Sequence, residues 1–198
     1  MRSIRAIYNR AIKEGLADRS NYPFSDYKIK TEKTASRSLT FEEMKKIIHL
    51  ELEPGTAIWR YRSYFLFSFY TIGMSYVDMA FLTEENLDNG RIRYKRKKTG
   101  RLYNLKLQEP AKEIIKYYSS ESPYLLPILD SSINDMEVMK EKVRSSYRYC
   151  NKYMKKIAKL CSIEKPLSSY YARYTWANLA KKLGYSKDLI AEALGHSY

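Results

Sequence analysis

Between residues 91 and 107 the chain abandons the spacing that governs the rest of it. Ile92 and Tyr94 before Thr99-Gly100, and Leu102, Leu105 and Leu107 after it, sit among Arg91, Arg93, Lys95, Arg96, Lys97, Lys98, Arg101 and Lys106. Alternation on both sides of a glycine-containing turn predicts a β-hairpin. Elsewhere the apolar residues recur at helical spacing. The chain is therefore confined to a mainly α fold with one small antiparallel hairpin or sheet. The hairpin segment carries eight cations and no acid. Edge strands are often blunted by Lys and Arg, but this excess goes beyond blunting and suits contact with a phosphate backbone.

Local signals place the helices. Residues 2–15 form an amphipathic helix with Ile4, Ile12 and Leu16 on related faces. It begins abruptly, as the last helix of an upstream domain would. Residues 17–38, rich in Asp, Asn, Pro, Ser and Lys, read as a linker. The domain organisation expected is thus 1–37, helix plus linker, and 38–198, the main domain. Thr40-Phe41-Glu42-Glu43 is a capping box opening a helix to about Leu50. Residues 56–73 make a largely buried helix, and Ser75 caps a short one to about Leu82. Pro110 at the first helical position starts another, to about Tyr118. A long helix covers 134–160. Ser168 or Ser169 caps one reaching Lys182, and Ser186 caps a last one reaching Leu194.

Charge narrows the partner. Lys and Arg number 36 against 22 Asp and Glu, a net charge of +14, and 20 tyrosines accompany them. Such an excess favours an anionic partner, nucleic acid before a membrane surface. Lys140–Lys159 repeats the theme, with eight Lys or Arg, Arg144 and Arg148 among them, against Glu141 alone. Cys150 and Cys161 are the only cysteines, eleven residues apart. That is about 16 Å along one helix, too far for a disulfide. With His49 and His196 they have no zinc spacing, so no metal is expected. No signal peptide is evident, and the most apolar run, 64–70, is too short to span a bilayer. A cytoplasmic protein is expected.

One reading of the C-terminal part is a DNA-binding helix-turn-helix, from Ala180 through Gly184 to Ile190. It would make the protein a non-catalytic regulator. It leaves the hairpin unexplained and would turn Asp188 and Glu192 toward DNA. A weaker third reading is an RNA-binding, ribosome-associated protein.

A sharper reading comes from four stretches in order. Thr71-Ile72-Gly73-Met74-Ser75-Tyr76-Val77-Asp78 resembles the Thr-Gly-x-Arg-x-x-Glu region of tyrosine recombinases, the phage-integrase family. Lys98-Thr99-Gly100 lies at the hairpin turn, where that family carries a lysine. Tyr170-Tyr171-Ala172-Arg173 resembles its His-x-x-Arg box, and Leu194-Gly195-His196 its Leu-Gly-His box. Phe67-Ser68-Phe69-Tyr70 and Asp78-Met79-Ala80 are similar to integrases of bacterial conjugative and mobilisable transposons. The resemblance covers about 38–198, the catalytic domain, and makes 1–37 the end of a core-binding domain plus linker.

The resemblance implies a tyrosine-recombinase catalytic-domain fold and a reaction without cofactor, metal or ATP. A tyrosine attacks a DNA phosphate to give a 3′-phosphotyrosine, and another strand's hydroxyl reverses the step. Duplex DNA and further protomers on it, in a synaptic complex, are the implied partners, in a bacterial nucleoid. Arg173 matches the family's second arginine, Lys98 the lysine that protonates the leaving oxygen, and His196 a donor to the phosphate. Arg93, Lys95, Arg96, Lys97, Arg101, Arg144 and Arg148 are candidates for DNA contact.

Three departures stand out. Ser75 occupies the first arginine's position and Asp78 that of the family's glutamate, and Arg62, one helix earlier, is the candidate substitute cation. Tyr170 replaces the box histidine; a phenol donates a hydrogen bond but is a poor proton shuttle at neutral pH. The family's nucleophile lies about nine residues past the Leu-Gly-His histidine, where this sequence has only Ser197 and Tyr198. The fragment is therefore expected to lack the nucleophile, and to bind duplex DNA without cutting it.

Overall fold

The computed structural model describes residues 2–25, 27, 37–119 and 122–195. The chain divides into two compact units, 1–36 and 37–198.

In the first unit α1 (Arg2–Lys13) is followed by a short 3-10 turn at Arg19–Asn21. The segment after α1 is not a plain linker. Tyr22 and Phe24 pack with Tyr8 of α1, with ring centroids 5.6–6.3 Å apart. Arg5 donates to the Tyr22 hydroxyl at 3.0 Å.

The second unit is helical apart from one sheet. Its elements are α2 (Phe41–Ile48), α3 (Ala57–Tyr70), α4 (Tyr76–Ala80), β1 (Leu87–Asp88), β2 (Arg91–Lys95), β3 (Leu102–Lys106), α5 (Glu109–Tyr118), α6 (Met136–Leu160), α7 (Tyr171–Lys182) and α8 (Lys187–Ala193). The capping box opens α2 as expected: the Thr40 hydroxyl accepts from the Glu43 amide, and the Glu43 carboxylate from the Thr40 amide. Ser75 caps α4 and Ser186 caps α8. Two starts differ. Pro110 is the second residue of α5, after Glu109. α7 is capped by neither Ser168 nor Ser169; Tyr170 holds the N-cap without a side-chain bond. The Ser169 amide is taken instead by the Asn151 side chain of α6, at 2.9 Å.

α3 is the central element. Its run Ser63–Ser68 is buried all round, and α5, α6 and α7 pack against it. Tyr64, Phe65 and Phe67 meet Met154 and Ile157 of α6, and Tyr118 of α5, in one core. Burying a large apolar side chain stabilises by roughly 1.5–3 kcal/mol, so this contact dominates the fold.

The hairpin is present and gains a third strand: β1 pairs antiparallel with β2, and β2 with β3, in the order β1-β2-β3. The register pairs Tyr94 with Tyr103 and Lys95 with Leu102. Ile92, Tyr94 and Tyr103 face inward. Leu102 is 77% exposed. The turn decides this. The Arg96 carbonyl accepts from the Gly100 amide four residues on, at 2.8 Å. That turn pairs Arg96 with Arg101, and because side-chain direction flips with each residue, Leu102 falls on the face opposite Tyr103 and Leu107.

Candidate active site

Four separate segments converge on Arg173. The α3–α4 turn brings Gly73, whose φ is +71°. A side chain there would bring its Cβ to 2.5 Å from the Cα of Arg173. Glycine is thus required twice over, for backbone conformation and for space. This approach lets the Arg173 guanidinium donate to the Gly73 carbonyl at 3.1 Å and to the Leu194 carbonyl at the end of α8. Arg173 is 9% exposed, and the two carbonyls hold it in place.

The hairpin is tied to the same place by Asp78, a buried carboxylate on α4. One oxygen accepts from the Ser75 hydroxyl at 2.7 Å, the other from the Lys97 amide at 2.8 Å. The Ser75 hydroxyl also accepts from the Asp78 amide. The Lys97 ammonium lies 3.8 Å from the centre of the Phe81 ring, a cation–π contact. On the inner face of the sheet Tyr94 and Tyr103 stack at 5.0 Å. Burial pushes the Tyr94 phenol well above its ordinary pKa; nearby Asp78 adds to this and Arg173 opposes it. The Tyr103 hydroxyl closes against Gly195, where a Cβ would lie 1.9 Å from it.

Three expected residues share one pocket. Ser75, Tyr170 and Arg173 line a cavity of about 460 Å³ whose other wall is α6. Tyr170 stands at its mouth, 44% exposed, with its ring edge-on to Tyr174 at 5.0 Å. Lys98 is exposed in the β2–β3 loop, next to the anchored Lys97. Arg93 and Lys95 point outward on β2, while Arg96 and Arg101 pair across the base of the loop. Arg93 is held by Asp88 at 2.8 Å. Arg144 and Arg148 are exposed on α6. His196 lies outside the described residues.

Arg62 takes a different place. Its guanidinium donates to the Leu50 carbonyl, and its Nε is buried without a hydrogen-bond partner. Burial holds its pKa below the usual value, with Cys161 and Tyr70 nearby opposing this. It does not line the pocket that holds Ser75 and Arg173. Its surroundings are set by the face of α3 on which it falls, turned toward Leu50.

Sequence reasoning missed Asp78 as the tie between α4 and the hairpin. The signal was present: a carboxylate three residues after an N-cap serine, in a segment otherwise buried. It also missed Tyr103, hidden by the more obvious leucines around it. α7 and α8 do form a helix–turn–helix connection, but the inner face of α7 buries Tyr171, Ala172, Arg173 and Thr175 in this site and core. Among the described residues no cluster of three or more His, Cys, Asp or Glu could hold a metal ion. No helix among them is long and apolar enough to cross a membrane.

Comparison with known proteins finds the same fold. The fold is similar to a lambda integrase dimer bound to a COC′ core site, with TM-score 0.69 and 15% identity over 98% of this chain and 67% of that one. It is similar to XerH site-specific recombinase bound to difH substrate, with TM-score 0.63 and 17% identity over 96% and 55%. A third likeness is the Tn1549 transposon integrase in complex with circular intermediate DNA, with TM-score 0.64 and 15% identity over 100% and 69%. The chain thus spans between about half and two thirds of these proteins' lengths. No curated protein sequence matches it. Residues 37–198 match the phage integrase family. With that match over most of its length, the chain belongs to the phage integrase family.

Proposed function

We propose that this chain acts in site-specific DNA recombination, holding the scissile phosphate while strands of a mobile element are broken and rejoined through a 3′-phosphotyrosine. The observation that carries the reading is Arg173, fixed by the carbonyls of Gly73 and Leu194. A guanidinium has five N–H donors; two are spent on those carbonyls, and the rest serve an anion. Held rigidly in a water-poor cleft, such a cation stabilises charge developing on the non-bridging oxygens.

The other roles follow from the resemblance of their positions to the family's boxes. Lys98 donates the proton to the leaving 5′-oxygen, from a loop steadied by Asp78 through Lys97. His196 is a second donor to the phosphate. Tyr170, at the box histidine's position, orients the phosphate by a hydrogen bond. The outward cations of the hairpin and of α6 follow the duplex backbone. Duplex DNA and further protomers on it are the partners, as the DNA-bound dimer and tetramer among the similar structures suggest. The bacterial nucleoid is the proposed place of action.

The test is covalent trapping. Nicked duplexes bearing candidate element ends are incubated with the full-length protein and resolved under denaturing conditions. A protein–DNA adduct, lost in Arg173→Gln, is the expected result. Sequence-specific binding with no adduct on any end would favour the regulator reading instead.

A further inference from the structure

Ser75 stands where the family's first arginine is expected, and its hydroxyl is already engaged with Asp78 as donor and acceptor. A phosphate in this pocket therefore lacks one of its two expected guanidinium partners. The wall facing Ser75 and Arg173 is formed by Lys140, Val143, Arg144 and Tyr147 of α6. These positions share one helical face. That face is fixed to α4: the Tyr76 hydroxyl bonds Ser146 at 2.8 Å, and the Tyr76 and Tyr147 rings meet at 5.6 Å. Tyr76 directly follows Ser75, so the tie holds α6 against the position that lacks its arginine.

We propose that Arg144 supplies from α6 the cation absent at Ser75, so that Arg144 and Arg173 clamp the phosphate from opposite walls. This rests on reading the pocket as the scissile-phosphate site. Arg144 forms a salt bridge with Glu141, one turn back, at 2.7 Å, with both side chains more than half exposed. Exposed pairs of this kind contribute little and are screened by salt, so a phosphate displaces Glu141 readily. Lys140 lines the same wall one turn further from the Ser146 anchor, and an ammonium lacks the planar fork that matches two phosphate oxygens.

The experiment titrates the 198-residue chain with orthovanadate, a phosphate mimic, and follows the arginine Nε–H resonances by NMR. The Arg173 and Arg144 resonances are expected to shift together with one dissociation constant. Arg144→Ala is expected to weaken vanadate binding about tenfold, and adding Ser75→Arg to recover most of that loss. Lys156→Ala, on the same helix but stacked on Tyr153 outside the pocket, is the control. Arg144 is largely exposed, so an unchanged melting curve separates binding from folding. A shift at Arg173 with none at Arg144, or equal binding by Arg144→Ala, overturns this proposal alone. A shift at neither arginine overturns the phosphate reading of the pocket as well.

Discussion

Gly73 and Arg173 approach so closely that no side chain fits between them: a Cβ on Gly73 would sit 2.5 Å from the Cα, and equally from the Cβ, of Arg173. The contact joins the first and third of the four sequence stretches, one hundred residues apart in the chain. It does so at backbone level, which sets the guanidinium's origin before any side-chain rotamer is chosen. Leu194, from the fourth stretch, completes the hold on the guanidinium.

Gly73→Ala meets two penalties, the positive φ and the overlap with α7. Together they cost about 2–4 kcal/mol. For a domain of this size the expected fall in melting temperature is roughly 5–15 °C, readable by calorimetry. A fall of less than about 2 °C would mean that α7 yields and that the close approach is not needed.

Lys98→Ala is expected to slow adduct formation by about 10²–10⁴-fold if Lys98 is the proton donor. A nicked substrate whose leaving oxygen is replaced by sulfur needs no proton, because a thiolate leaves readily. Such a substrate is expected to restore the Lys98→Ala rate nearly to wild type while leaving Arg173→Gln slow. Equal rescue of both variants, or of neither, would count against Lys98 as the acid.

Asp78→Ala leaves the Lys97 amide without its acceptor and frees the β2–β3 loop from α4. An unsatisfied buried partner costs roughly 1–3 kcal/mol. Hydrogen exchange at the Lys97 amide should therefore quicken about tenfold or more, with little change at Ile92 within the sheet. The rate of DNA cleavage is expected to fall while duplex affinity stays near wild type, since Asp78 is buried.

Glu43 gives the acid limb of stability. Burial pushes its carboxyl up, but the Lys165 ammonium and the Thr40 amide and hydroxyl outweigh this and hold it below the ordinary glutamate value. A lowered carboxyl contributes stability above its unfolded pKa and loses it as the pH falls through the native one. Glu43→Gln should cost about 1 kcal/mol at pH 7. The gap to wild type is expected to close below about pH 4. Urea titrations at neutral and acid pH read both values, and a gap that persists in acid would locate the loss elsewhere.

Much of the fold was legible because it is local. The Thr40–Glu43 capping box, the serine caps at Ser75 and Ser186 and the alternation of Ile92 and Tyr94 each depend on neighbours within a few residues. The errors were also local in origin. Leu102 and Leu105, three residues apart, cannot share one face of a strand; the four-residue loop between Arg96 and Arg101 turns Leu102 out and Tyr103 in. Ser168 and Ser169 looked like caps because they are serines, but Asn151 of α6 takes the Ser169 amide. Arg62 was a plausible cation by type and order, yet the direction of its face on α3 sends it to Leu50.

The sequence by itself determined the mainly α class, the single cationic sheet region and the order of four boxes, since period, capping and charge are properties of short stretches. Only the tertiary structure decided which of those residues meet. Gly73 admits α7 through its missing side chain, Asp78 joins Ser75 to Lys97, and α6 rather than Arg62 faces the position lacking its arginine. Those outcomes depend on how α3, α4, α6 and α7 pack, and packing is set by side-chain volume and hydrogen-bond satisfaction across many elements at once. No short stretch of sequence contains that information.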